Sequence, residues 1–418
     1  MGLCAAATEA AAQDPGLVLN GQINNGDIFA GQTINVVDGA AIRETTNPDG
    51  SQDSEAVDAD QITGSTYAVG NRASASGDDG VGFEVRSTQT MTGDARATTV
   101  LNLAGETEGP VTLTSQVEGN RLEAQAYGAD LDVEATQTMG AADLIADVAV
   151  NGAPGRMLAG GRVQSSASGN VTAMAGSGGV VTADIDQTSA AFTQAYTLAN
   201  PQYVPAEAEF TAEAIGNTVA STVTLGDQDL TIRQRQTGAA VWATTSANAG
   251  NAWDLAGRAR ATANHVAVAN QGGSVISRTD QGNVADVRAN AIVTAYDFGE
   301  VTSHAGATAN SVHVGNADIY VRIDNSQVNS GGVEADASFV GNTGYDAYVG
   351  ADAAGNTITA YSCSDCPGYL EAANTQVNTG NVTATATTQI DAYGRAIITG
   401  VNAVGNSATF YVTRPGGD

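Results

Sequence analysis

The chain has 418 residues and a formal net charge of −29, and all 16 of its basic residues are arginine. With 50 glycines, 5% aromatic and 15% charged residues it lacks the large side chains of a conventional globular core, yet 42% hydrophobic content rich in Val and Thr excludes a typical disordered chain. A surface this acidic repels phosphate backbones and anionic headgroups, which argues against nucleic acid and simple membrane binding and favours basic or neutral partners.

Taken in chain order, residues 1–13, within "MGLCAAATEAAAQD", resemble the tail of a secretory signal, with Ala10 and Ala12 as an A-x-A site before Gln13. The expectation is export to the outer cell surface or beyond. No stretch has the length and apolarity of a transmembrane helix. Residues 14–413 read as one repeat domain and residues 414–418 as a tail.

Within the repeat domain a Gln column begins at Gln22 and continues at Gln89, Gln137, Gln187, Gln236, Gln281, Gln327 and Gln376. Eight positions after each Gln stand Ala30, Ala97, Ile145, Ala195, Thr244, Ala289, Ala335 and Ala384, so a small inward residue is expected there. The first interval exceeds the others by about twenty residues, and the excess near 35–62 is acidic and turn-rich, which reads as an inserted loop. An Asn column interleaves with the Gln column at Asn71, Asn120, Asn170, Asn217, Asn264, Asn310, Asn356 and Asn406. Two positions after the Asn the residue is apolar in every copy except Thr172, and the position between is usually polar. That is period two, the mark of strands with one buried face.

The fold class expected is all-β: a repetitive β-solenoid with a double repeat of 46–50 residues. Aligning Asn406 with Gly380 splits each repeat into halves of roughly 21 and 25 residues. Taken as single turns, these predict about seventeen coils in a rod on the order of 80 Å long. Asn beside Gly suits tight corners with left-handed geometry, or ladders between equivalent copies.

Gln376-x-Asn378-x-Gly380, followed by alternating Val and Ala, and the matching Ala403-x-Gly405-Asn406 half resemble the curlin-like surface proteins of Gram-negative bacteria. Over Gln22–Thr413 the chain more closely resembles the holdfast anchor protein D family of stalked alphaproteobacteria. The resemblance implies an exported protein that holds an adhesive polysaccharide holdfast to the outer cell surface, with a curlin-like partner and a lipoprotein secretion pore. The chain departs from curlin in its longer unit, its acidity, and the lack of Gly four residues after Gln137 and Gln236.

No catalytic, cofactor-binding or metal-binding residue is assigned, and the chain reads as non-enzymatic. Lyase chemistry wants a Lys or Arg base beside acidic groups. Lys is absent, and Arg233 with Arg235, and Arg258 with Arg260, read as solvated arginines on strand faces. Asp130, Asp132 and Glu134 read as an exposed acidic face, and His265, His304 and His313 lack metal spacing and read as exposed. Cys363 and Cys366, in "CSDCPG", read as a local turn with a surface disulfide or free thiols. Trp242, Trp253, Tyr345, Tyr348, Tyr361 and Tyr369 suit either packing at corners or contact with sugar faces. The leading reading is a structural adhesion protein with self-association, other surface anchors or a polysaccharide matrix as partners. The alternatives are a β-helical protein that binds or degrades polysaccharide, and a phage or surface-fibre segment.

Overall fold

A computed structural model describes residues 16–37, 40–46, 51–58, 61–78, 80, 82–318, 320–363 and 368–413. The signal-like segment, the tail, Cys4 and Cys366 lie outside these residues. Every regular element among them is a strand.

Parallel pairing of equivalent residues in successive repeats defines the stack. Each turn has three sides. The first carries the Gln column and forms an eight-stranded parallel sheet of Gly16–Asn24, Phe83–Met91, Leu131–Met139, Val180–Ser189, Asp227–Gln236, Ser274–Asn283, Tyr320–Asn329 and Tyr369–Asn378. The second side starts with Ile28–Val37, Ala95–Leu103, Asp143–Asn151 and Phe192–Ala199, and the third with Ile62–Gly77, Val111–Tyr127, Gly161–Ser177 and Tyr203–Thr224. Further along, single long strands such as Ala240–Gln271 run round the corner and supply both sides of a turn.

The stack is a β-solenoid, but its turn is larger than the sequence suggested. Gln22 pairs with Gln89 and Asn71 with Asn120, so each half-repeat stacks on its own kind. The two halves therefore belong to a single turn. Eight Gln rungs at about 4.8 Å make a stack about 34 Å deep instead of a rod of about seventeen coils.

Three register corrections follow. The Gln-column residue between Gln187 and Gln281 is Gln234, whereas Gln236 pairs with Ser189 and Asn283. Both glutamines face inward, so alternation alone does not separate them. The small inward column runs through Ala146 instead of Ile145 because that turn holds one extra residue, and through Ala243 instead of Thr244 because Gln236 stands two residues past the column's Gln234 while that turn holds one extra residue. All eight members of the column are then alanine: Ala30, Ala97, Ala146, Ala195, Ala243, Ala289, Ala335 and Ala384.

The Ala column lets opposed walls approach, and two apolar cores fill the turn. Residues three before the Asn, such as Val117, Ala167 and Ala214, belong to the first core. Residues two after it, such as Leu122, Val219 and Val266, belong to the second. The Asn column lies between them. Its members sit within strands, so they do not serve as left-handed corners; Leu225 is the one non-glycine with positive φ among the described residues.

The expected inserted loop is instead a hairpin. Ala40–Thr46 pairs antiparallel with Ile28–Val37, and Gln52–Asp58 pairs antiparallel with Ala40–Thr46. It covers the amino-terminal edge of the second side.

Candidate functional site

Asn and Gln are costly to bury unless every polar atom finds a partner. Here Asn120, Asn170, Asn217, Asn264, Asn310 and Asn356 are fully buried, and so are the Gln-column residues from Gln89 to Gln327. Each Asn donates one Nδ2 hydrogen to the Oδ1 of the next Asn toward the carboxyl end, at 2.7–2.9 Å. Its other hydrogen goes to the carbonyl of the residue after a Gln, for example Thr138, Thr188 and Arg235. The Gln column reciprocates in the opposite direction. Each Nε2 donates to the Oε1 of the preceding Gln, at 2.7–2.8 Å. It also donates to the carbonyl of the residue after an Asn, such as Arg121, Val171 and Thr218. Thr172, the one polar residue two after an Asn, donates its hydroxyl to Gln137 Oε1 at 3.0 Å. Two counter-running amide ladders thus tie the turns along the axis and cross-link opposite sides within the stack.

The ladders end in the last turn. Gln376 donates to Gln327 and Ser407, and Asn406 Oδ1 accepts from Asn356. Beyond them, Asn406 Nδ2 and Gln376 Oε1 point to the carboxyl-terminal edge with no further partner among the described residues. Among the described residues, the strands Tyr369–Asn378, Val382–Tyr393 and Ala396–Thr413 each pair with a preceding turn only.

Among protein-family profiles, the one described as Holdfast attachment protein D matches residues 56–332, more than half of the chain. The chain belongs to the Holdfast attachment protein D family. No curated protein and no solved structure matches it. Membership gives this holdfast attachment protein a role in adhesion at the cell surface, and no helix among its described residues is long and apolar enough to cross a membrane.

The four arginines singled out in the sequence are engaged in ion pairs across rungs. Arg233 lies 2.7 Å from Asp184, Arg258 3.4 Å from Glu209 and Arg260 3.8 Å from Glu213, while Arg235 pairs with Asp280. Such exposed pairs contribute about 0–1 kcal/mol each. Asp130 accepts from the Val180 amide at 2.8 Å, and Asp132 is raised by burial and the neighbouring Glu84 charge. No group of three or more His, Cys, Asp or Glu among the described residues is arranged to hold a metal ion.

The histidines divide. His304 bonds Asp352 at 3.0 Å and His313 lies beside Tyr361. His265, expected to be exposed, is instead largely covered. Burial pushes its imidazole down to about 4, aided by the Arg260 and His313 charges. The unfolded chain then takes up a proton near pH 6.5 that the folded chain refuses until about pH 4. Stability is full above pH 6.5 and falls with pH, by about 2–3 kcal/mol at pH 4.5. His265→Gln should remove that component, read as the wild-type-minus-variant difference in urea midpoint at pH 7 and pH 4.5.

The aromatic residues also divide. Tyr361 stacks on Tyr411 and Tyr320 on Tyr369 at ring-centroid distances of 5.5 and 5.4 Å, and Trp242 packs between Phe192 and Arg288. Trp253 and Tyr345 instead flank an open cleft of about 520 Å³ at the corner between the second and third sides. Tyr203, Phe298 and Tyr393 join them there. Their gathering was not visible in the sequence, because it depends on which residues a full turn stacks together.

Proposed function

We propose that this holdfast attachment protein is a non-enzymatic anchor that joins an adhesive polysaccharide matrix to the outer cell surface. In this reading it does so by accepting a β-strand of another chain, a second copy or another surface anchor, on the edge of its last turn. The observation that carries the proposal is the inequality of the two ends. A hairpin covers the second side of the first turn, which opposes stacking there. The last turn has an unpaired edge among the described residues and two ladder ends with opposite hydrogen-bonding character. An edge of this kind recruits strands, since each added strand satisfies a row of backbone groups at once.

The test is Asn406→Asp. The carboxylate still accepts from Asn356 but has no donor to offer an incoming strand, and it adds charge at the edge. Multimers measured by light scattering, and retention of the matrix on cells, should both fall, with β-sheet circular dichroism and thermal midpoint unchanged. Assembly and attachment equal to the parent would remove the edge from the mechanism.

A further inference from the structure

We propose that the corner cleft is a binding site for a hexose chain free of acidic groups. The inference deepens the anchoring reading and rests on it, since it names the portion of the matrix that the protein itself would hold.

Glycines let the rings of the cleft lie directly on the backbone. Phe298, only 4% exposed, forms the floor against Gly344, where a Cβ would lie 2.4 Å from the ring. Trp253 and Tyr345 pack edge to face, with ring centroids 6.1 Å apart, and form one continuous wall. Between their rungs stands Gly299, where a Cβ would meet the Trp253 carbonyl at 2.3 Å and its ring at 3.0 Å. The backbone gives way at the same corner: pairing slips between Val204 and Glu207, and again between Gly341 and Thr343.

The outcome of this packing is an aromatic surface turned to water. Trp253 is 60% exposed and Tyr393 56%. With Tyr203 and Tyr345 they recur over four rung steps, about 19 Å along the stack, the length of several linked pyranose rings. Flat rings with polar edges match the C–H faces of sugars, and a binding cleft of this kind needs only a few convergent polar groups. Asn251, Asp297 and Thr343 supply them from adjacent rungs.

Charge selects within the saccharides. The two guanidinium groups at the cleft are already engaged: Arg395 lies over Tyr345 and pairs with Asp346, and Arg156 lies over Tyr203 and pairs with Glu106. Asp297 is exposed and forms no ion pair among the described residues. A uronic acid chain would meet net negative charge there, whereas an uncharged hexose chain meets only rings and hydrogen-bonding groups.

The full chain should be titrated with cellohexaose, chitohexaose and an oligogalacturonate of the same length, following tryptophan fluorescence and heat. At least one neutral oligosaccharide should bind saturably, the oligogalacturonate at least tenfold more weakly. Trp253→Ala and Tyr393→Ala should each weaken binding at least tenfold without shifting the thermal midpoint. No saturable neutral binding, undiminished binding in Trp253→Ala, or equal affinity for the oligogalacturonate would overturn the proposal. Loss of multimers in Trp253→Ala, with no sugar bound by the parent, would assign the rings to a contact between chains. Failure of the cleft leaves the Asn406→Asp result untouched, so the two readings fail separately.

Discussion

Asn217→Ala should be among the most damaging single substitutions in this protein, costing on the order of 3–6 kcal/mol. The figure follows from what the deletion strands. Asn170 Nδ2 loses its acceptor, Asn264 Oδ1 loses its donor, and the Arg235 carbonyl loses a side-chain donor, all beside fully buried residues. Each buried orphan costs about 1–3 kcal/mol. The effect is positional. Asn406→Ala deletes a ladder end, strands only the Asn356 donor near solvent, and should cost about 1 kcal/mol or less. Chemical denaturation with hydrogen exchange on the flanking turns measures both, because an array of turns need not unfold as one unit. Equal costs at Asn217 and Asn406 would mean that the ladder does not stabilise the stack.

Ala243→Leu should destabilise by about 1–3 kcal/mol through overpacking, while Thr244→Leu should change stability by less than about 0.5 kcal/mol. Ala243 is 1% exposed and lies in register with Ala195 and Ala289, and Thr244 points outward on the next position. Leucine at 243 drives three extra carbons into a column whose eight members are all alanine, and its neighbours above and below have the same fixed spacing. Counting eight residues from Gln236 puts Thr244 in that column. Thermal midpoints of the two variants therefore decide the register as well as the packing. A larger loss at Thr244 would restore the sequence count.

What could be read from the sequence was whatever repeats with period two or at the full repeat length. The Asn column, seven of the eight Gln positions and the strand character of the chain belong here. What could not be read was which half stacks on which. Two halves with similar alternation permit stacking of neighbours or of copies one repeat apart, and apolar patterning is satisfied either way. The amides decide it. Asn and Gln differ by one methylene, so a ladder holds its 2.8 Å spacing only when like stands on like. The recurrence of the same amide at the full repeat, not the half, was the available signal. Gln236 competes with Gln234 in the sequence because "RQRQ" offers two inward glutamines two residues apart, and only the equal interval of 47 residues on either side favours Gln234. The cleft was beyond reach for a different reason. Trp253, Tyr345 and Tyr393 become neighbours only once the turn size is known, and Gly299 and Gly344 look like any other glycines in a chain of 50.

Because the inter-turn hydrogen bonds and both amide ladders run along one axis, the stack has a mechanical character that depends on where force enters. A tether on Thr413 alone concentrates a pull on one strand end, and the bonds of the last interface break in succession. A partner gripping all three strands of the last turn loads that whole interface at once, so its bonds share the force. Should a turn nonetheless detach, its 46–50 residues release about 160 Å of chain before the next interface is strained. The protein would then yield by lengthening in discrete steps, each absorbing work, while the remaining turns keep their grip.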